Sequence, residues 1–251
     1  MKTNKMGKIE TDKNKKGKSK NKVILLIIIF IFILLKNQLL NIKIKRFYYI
    51  NNKNKHHHKG SNKLINIFTQ WGSSLKKDNI LQEYPRPQFE RNSYLNLNGE
   101  WDYSLNNDKV KPKYKRKIIV PFPIESPLSG VKHKILQPGM TLWYRRIIDL
   151  TKLKNNGRFL LHFGAVDQFT EVFINNKKVG EHDGGYTSFY FDITNYINKD
   201  LTKTEIVVKV IDNYSKNGAA FGKQGRPRKS IFYVQTGGIW QTVWIESVPK
   251  T

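Results

Sequence analysis

The sequence of 251 residues contains no cysteine. This absence excludes a disulfide framework, a thiol nucleophile, iron–sulfur clusters and any zinc site built on thiolates. Acidic residues are also scarce, with 19 Asp and Glu against 45 Lys and Arg, which gives a formal net charge of +26. A positive charge of this size is a known feature of proteins that bind nucleic acids or other polyanions.

The positive charge is concentrated in the first third of the chain. Residues 1–80 hold 19 Lys and Arg but only 3 Asp and Glu, and many of these lysines stand beside asparagines. Lysine and asparagine have A/T-rich codons, so a biased genome explains the tract without an anionic partner. Residues 1–22 also contain no aromatic residue that could stack on a base. The sequence therefore argues against nucleic acid as a partner, and a basic membrane-peripheral protein is the weakest functional alternative.

One long apolar run lies in this basic region. Residues 23–35 are all apolar and follow nine lysines. As a helix, residues 23–40 would be about 27 Å long, close to the hydrocarbon core of a bilayer at about 30 Å. The pattern predicts a signal anchor that contacts the membrane and leaves residues 1–22 as a basic cytosolic tail. A cleaved signal peptide and a buried core segment are the alternatives.

This interpretation predicts a single-pass membrane protein with a lumenal or extracellular C-terminal domain, or alternatively a secreted protein. Residues 41–80 show no sustained apolar period and are predicted to be a Lys/Asn-rich linker. The run of histidines at His56, His57 and His58 is interpreted as part of this low-complexity tract rather than as a metal site. In either compartment the sequon at Asn213 would be a candidate for glycosylation.

From about residue 81 the apolar residues recur at every second position, which is typical of β-strands. Trp101 and Tyr103 share one face of such a segment, and Ile206, Val208 and Val210 share one face of another. Asn175-Asn176 separates two further segments, and asparagine tolerates the positive φ of a tight hairpin. No stretch predicts a long amphipathic helix. Residues 81–251 are therefore predicted to form an all-β domain, an antiparallel sandwich or jelly roll.

No catalytic motif is apparent in this domain. Glycoside hydrolysis needs two carboxyl groups about 5–10 Å apart, and most candidate glutamates alternate with apolar neighbours as residues on a solvent-facing side of a strand do. The candidates are Glu83, Glu90, Glu100, Glu125, Glu171, Glu181, Glu205 and Glu246. No metal-ligand set and no cofactor motif is found. The residues alone thus indicate an all-β binding or scaffold module.

A series of short motifs, taken together and in order, resembles the N-terminal sugar-binding domain of glycoside hydrolase family 2, over about residues 84–248. They are Tyr84-Pro85-Arg86-Pro87, Asn98-Gly99-Glu100-Trp101, Val120-Pro121-Phe122-Pro123, Trp143-Tyr144-Arg145-Arg146, Gly164-Ala165-Val166-Asp167, His182-Asp183-Gly184-Gly185-Tyr186, Phe191-Asp192-Ile193-Thr194, Gly222-Lys223-Gln224 and Gly238-Ile239-Trp240-Gln241. This family includes β-galactosidases, β-glucuronidases and β-mannosidases. The resemblance implies a galactose-binding-like jelly roll.

The resemblance also implies what the chain does. In the family a separate barrel supplies both catalytic glutamates, and this sequence has no counterpart of them. We therefore expect a carbohydrate-binding or scaffold domain that does not hydrolyse glycosides alone, with β-linked sugars or glycans as ligands. The alternative is the N-terminal fragment of an active β-glycosidase whose barrel is encoded separately or lost by truncation. The protein partner that the resemblance implies is a glycosidase barrel domain, in cis or in trans.

Two groups of residues are predicted to matter. A sugar site needs an aromatic face and planar polar groups, and the candidates for it are His182, Asp183, Tyr186, Lys223 and Gln224. An alternative role for these five residues is to hold loops and an interface with the barrel. The residues predicted to be structural are Trp101, Arg145, Arg146, Asp167 and Trp240, with Asp167 assigned to a turn and at least one arginine to an ion pair.

Overall fold

The computed structural model describes residues 68–107, 110–131, 134–213, 220, 222–225 and 230–250. Asn66–Thr251 form one compact unit. Within the described residues, helix is limited to α1 (Gln70–Ser74) and a short 3-10 turn at Pro127–Ser129. The predicted all-β sandwich is confirmed.

Two antiparallel sheets face each other. Their strands, with those of a smaller ladder, are β1 (Tyr94–Asn96), β2 (Gly99–Asn107), β3 (Arg116–Val120), β4 (Met140–Ile148), β5 (Gly157–Phe163), β6 (Val166–Asp167), β7 (Phe169–Ile174), β8 (Lys177–Asp183), β9 (Phe189–Asp192), β10 (Thr204–Ile211), β11 (Gly238–Ile239) and β12 (Val243–Pro249). The large sheet has the strand order β3-β2-β4-β10-β7-β8, and the small sheet has the order β1-β12-β5-β9. The two-stranded ladder of β11 and β6 lies beside them.

The core between the sheets follows from the two-residue period of the strands. Along β10 the side chains alternate strictly between buried and half-buried, so Ile206, Val208 and Val210 point inward as predicted. From the other strands the core receives two large rings, Trp101 and Tyr144, which meet edge-on with centroids 6.4 Å apart. Because alternate side chains of a strand face opposite sides of a sheet, the side chains between these core residues lie on the outer face of each sheet.

The predicted hairpin at Asn175-Asn176 is confirmed. These residues join β7 to β8 with φ angles of 48° and 66°. Two consecutive positive φ angles match the right-handed twist of the flanking strands, and asparagine tolerates this conformation better than other residues with a side chain.

Residues 80–91, which we name the strap, cover the outer face of the small sheet at β1 and β12. Ile80 is 1% exposed. The amide groups of Asn96 and Asn98 donate hydrogen bonds to the Leu81 carbonyl at 2.8 and 3.1 Å. The strap therefore buries a sheet face that the sequence pattern alone assigns to solvent.

The last strand differs from its sequence pattern. The alternation at residues 240–245 predicts a strand that begins near Trp240, but β12 begins at Val243. Val243 and Ile245 lie in the core, whereas Trp244 lies on the outer face and is only 4% exposed. Both faces of this strand are buried because the strap covers the second one.

The predicted membrane localisation is corrected by the structure. In the part of the chain that the structure describes, no helix has the length and apolar character needed to cross a bilayer. The tail at residues 1–22, the apolar segment at residues 23–40 and the histidines at residues 56–58 lie outside the described residues.

Candidate functional site

The loop between β8 and β9 is built around two glycines. Gly184 has a φ of 125°, a backbone conformation that residues with a Cβ adopt only with strain. Gly185 packs so closely on Asp167 that a Cβ at this position would lie 2.5 Å from the Asp167 Oδ1. The Trp240 indole donates a hydrogen bond of 2.8 Å to the Gly185 carbonyl. The tight backbone of this loop therefore fixes the position of the next residue, Tyr186.

Tyr186 lies at the centre of the predicted site. Its side chain is 49% exposed, and its ring meets the Trp240 ring edge-on with centroids 5.9 Å apart. The Gln224 amide lies 3.4 Å from its hydroxyl oxygen and donates to it. Burial and then the negative charge of Asp167 raise the pKa of the Tyr186 phenol. The hydroxyl therefore stays protonated at neutral pH and can donate a hydrogen bond to a ligand.

Gln224 and Lys223 stand on a short segment that bridges to Tyr233. The Gln224 Oε1 accepts a hydrogen bond of 3.0 Å from the Thr236 backbone, which orients the amide plane. The Lys223 ammonium lies 5.8 Å from the centre of the Tyr233 ring. The structure thus places an aromatic ring, an amide and an ammonium group together.

Two cavities flank Tyr186. One has a volume of about 330 Å³ and is bordered by Tyr186, Lys223, Gln224 and Trp240. The other has a volume of about 500 Å³ and is bordered by Tyr186 and Asp183. Both volumes fall in the range of small-molecule sites, roughly 300–1,000 Å³.

His182 is placed differently from the other four candidates. Its ring stacks on Phe189 with centroids 4.1 Å apart, and its Nε2 lies 3.1 Å from the Thr187 hydroxyl. These contacts hold the loop against β9. Asn213, the predicted glycosylation site, borders the cavity of about 500 Å³. The other two residues of its sequon lie outside the described residues.

Of the residues predicted to be structural, Trp101, Arg145 and Arg146 lie on the two sides of the large sheet, and Asp167 lies in the ladder of β6 and β11. The buried Trp101 indole donates a hydrogen bond of 2.8 Å to the Leu97 carbonyl. Arg146 donates to the same carbonyl, and its guanidinium lies 5.8 Å from the Trp101 ring centre. On the opposite face, Arg145 pairs with Asp102 at 2.9 Å. Asp167 is 7% exposed and pairs with Gly238 between β6 and β11.

A second polar cluster, centred on Glu246, was missed by the sequence analysis. Glu246 was grouped with glutamates expected to face solvent, but it is 1% exposed beneath the strap. Its carboxylate accepts hydrogen bonds from the Tyr84 hydroxyl at 2.6 Å and the Trp244 indole at 2.8 Å. Arg86 and Arg91 lie 3.6 and 3.4 Å away. Burial acts to raise the pKa of Glu246, but these hydrogen bonds and the positive charge of Arg86 help to outweigh it and leave the pKa lowered.

Glu125 is also held by groups of the fold. Its two carboxylate oxygens accept hydrogen bonds from the backbone amides of Leu136 at 2.8 Å and Gly237 at 3.0 Å. The buried carboxylate of Glu246 and the half-buried carboxylate of Glu125 thus connect segments that are distant in the chain.

His162 continues the Glu246 cluster across the small sheet. Its ring stacks on Trp244 at 4.7 Å and lies 5.3 Å from the Tyr190 ring. Burial lowers the pKa of His162 to about 4, so the ring is neutral at pH 7. The Arg86 guanidinium lies 3.3 Å from Nδ1. Because arginine only donates, we assign the lone pair to Nδ1 and the proton to Nε2.

A third cavity lies between the strap and the end of β5, with a volume of about 720 Å³. Its walls include Arg86, His162, Tyr190 and Gln241. Trp240 borders this cavity as well as the cavity of about 330 Å³ beside Tyr186. Among the described residues, no group of three or more His, Asp or Glu side chains could hold a metal ion.

Comparison with known proteins gives a family match over the sandwich. The family described as "Glycosyl hydrolases family 2, sugar binding domain" matches residues 109–249. A putative beta-glucuronidase of Formosa agariphila is 34% identical over 108 residues, which cover 43% of this chain and 12% of that protein. A beta-galactosidase of Thermoanaerobacter pseudethanolicus is 32% identical over 109 residues, covering 43% of this chain and 14% of that protein.

Solved structures align with part of this chain. A beta-glucuronidase from Bacteroides uniformis aligns with a TM-score of 0.46 at 23% identity, over 62% of this chain and 18% of that one. The matched part of this chain spans about an eighth of the length of the curated relatives named above.

Proposed function

Because the chain belongs to the sugar-binding domain family of the family 2 glycosyl hydrolases, we propose that its β-sandwich binds β-linked sugars through the loops around Tyr186. We extend this domain over residues 81–251 and assign it the galactose-binding-like jelly-roll topology. The observation that carries the proposal is the position of Tyr186. Its half-exposed ring stands beside Trp240 between two cavities, with the polar groups of Gln224 and Lys223 at one of them.

The chemistry of these groups suits a sugar ring. An aromatic face packs on the apolar C–H side of a pyranose, while the amide and the protonated phenol can exchange hydrogen bonds with its hydroxyls. Lys223 adds a charge that favours sugars carrying a carboxylate. The relatives that match are named beta-glucuronidase and beta-galactosidase, so a glucuronide and a galactoside are the first ligands to test.

Titration calorimetry on the full chain tests this proposal. We expect methyl β-glucuronide or methyl β-galactoside to bind, and Tyr186→Ala to weaken the binding about tenfold, since loss of a stacking face costs about 1.4 kcal/mol. Tyr186→Phe, which keeps the ring, should retain most of the affinity. Phe89→Ala is a matched control, because Phe89 is 57% exposed and borders none of the three cavities. Unchanged affinity in Tyr186→Ala would refute this assignment of the site.

A second candidate function is docking to a glycosidase barrel in cis or in trans. It is favoured by an exposed apolar run at residues 231–234, next to the residues around Tyr186 that we name the Tyr186 cluster (Tyr186, Lys223, Gln224 and Trp240). In this run Ile231 and Tyr233 are each 66% exposed, and Phe232 and Val234 are each 44% exposed. An exposed apolar patch of this kind is typical of an interaction surface. The described residues are then a binding part of a larger β-glycosidase. This candidate predicts no turnover of aryl β-glycosides by the chain alone, and turnover by the purified chain would overturn it.

A further inference from the structure

The cavity of about 720 Å³ under the strap contains recognition chemistry of its own. Tyr190 stands at its edge with 58% of its side chain exposed. Three rings, Trp244, His162 and Tyr190, follow one another across β12, β5 and β9, because they are paired residues of neighbouring strands. This row runs from a covered tryptophan to an exposed tyrosine.

Polar groups surround this row of rings. Gln88 and Gln241 are exposed and border the cavity, as does Arg86, whose side chain is 35% exposed. Arg86 has five N–H donors, of which the contacts with Glu246 and His162 occupy only some. The His162 Nε2 has no hydrogen-bond partner among the described residues, and the Glu246 Oε1 is 3.8 Å away. The His162 ring is 3% exposed and serves as a stacking layer, so the cavity combines an aromatic edge with exposed amide and guanidinium groups.

Trp240 connects this cavity with the Tyr186 cluster. Its ring borders both cavities, and its indole N–H is held by the Gly185 carbonyl at 2.8 Å. A ligand that is longer than one sugar ring could therefore contact Tyr186 on one side of Trp240 and Tyr190 on the other.

We propose that the cavity between the strap and Tyr190 is a second carbohydrate subsite, which binds a further sugar residue of a β-linked oligosaccharide whose first residue lies at Tyr186. The proposal rests on the proposed function of the Tyr186 cluster. Tyr190 packs on the sugar ring, and Gln88, Gln241 and Arg86 bind its hydroxyls. The Tyr186 cluster then sets which sugar is bound, and the second subsite sets a preference for chain length.

The test compares a methyl β-glycoside with a β-linked tetrasaccharide of the same sugar, by titration calorimetry on the full chain. We expect the tetrasaccharide to bind about tenfold more tightly, the gain of one additional ring contact. Tyr190→Ala should remove this gain and leave the affinity for the methyl glycoside unchanged. Tyr190→Phe should keep the gain. Trp71→Ala should change neither affinity, because Trp71 is 73% exposed on α1 and borders none of the three cavities.

The outcomes separate this inference from the function on which it rests. A tetrasaccharide that binds no more tightly than the methyl glycoside, or as tightly to Tyr190→Ala as to the unmodified chain, overturns the second subsite only. Tetrasaccharide binding that depends on Tyr190 but not on Tyr186 supports the second subsite and overturns the site assigned at Tyr186. If neither ligand binds, both proposals are wrong.

Discussion

Replacing Glu246 with glutamine should destabilise the sandwich although it removes no heavy atom from the core. In the folded protein the Glu246 carboxylate accepts two hydrogen bonds, from Tyr84 and Trp244, and its side chain is 1% exposed. A hydrogen bond to a charged group contributes about 1 kcal/mol more than a neutral one. Glu246→Gln therefore loses about 2 kcal/mol from these two contacts.

The two arginines add little to this value. Arg86 and Arg91 lie 3.6 and 3.4 Å from the carboxylate, with side chains 35% and 41% exposed. Solvent screens ion pairs of this kind, and each contributes about 0.5 kcal/mol or less. The expected total is about 2–3 kcal/mol, which lowers the melting temperature by about 4–12 °C for a domain of this size.

Denaturant and thermal unfolding at pH 7, followed by tryptophan fluorescence, would measure this loss. Glu181→Gln is the matched control, because Glu181 is 57% exposed in its ion pair with Lys178 and its replacement should cost less than about 0.5 kcal/mol. Tyr84→Phe removes a single hydrogen bond to Glu246 and should cost about 1–2 kcal/mol. Faster hydrogen exchange in the strap should accompany both losses. Equal stability of Glu246→Gln and Glu181→Gln would refute the role of Glu246 as the anchor of the strap.

Two further predictions concern His162 and Gly185. Burial lowers the folded-state pKa of His162 from 6.5 to about 4, so the unfolded chain binds a proton at this residue more readily than the folded protein does. The neutral His162 ring therefore contributes fully to stability above pH 6.5, and this contribution is lost as the pH falls toward 4. His162→Phe keeps the stacking and should reduce the loss of unfolding free energy between these pH values; an unchanged profile would contradict the assignment. Gly185→Ala places a Cβ 2.5 Å from the Asp167 Oδ1. This clash should cost about 1–3 kcal/mol and lower sugar affinity by moving Tyr186. Gly72→Ala is the matched control, because Gly72 also lacks a positive φ and its added Cβ would come no closer than 3.4 Å to the Thr69 hydroxyl.

The strands could be predicted from the sequence because one face of each packs in the core. Ile206, Val208 and Val210 show this in β10, and Asn175-Asn176 marks its neighbouring hairpin by turn chemistry. The same reasoning failed for Glu246. Alternation assigns one face of a strand to solvent, but the strap covers the outer face of β12. Tyr84 and Glu246 are 162 residues apart in the chain, and no local pattern indicates that they meet.

The candidate site was predictable only in part. The motif from His182 to Tyr186 and the motif with Lys223 and Gln224 lie far apart in the sequence, and the family resemblance placed them in one group. The structure brings Tyr186, Lys223 and Gln224 to one cavity, while His182 packs on Phe189. The sequence analysis missed the cavity of about 720 Å³ because its walls come from three segments that are distant in the chain: the strap, β5 and the segment around Trp240.

The strap has a practical consequence for anyone who wishes to express this domain. The region of family similarity starts at residue 109, so a clone cut there would omit the strap, β1 and β2. Such a product would expose Glu246 and Trp244 to solvent and would also lose Trp101, a large ring of the core. A piece that keeps the strap and both sheets must begin at or before Ile80.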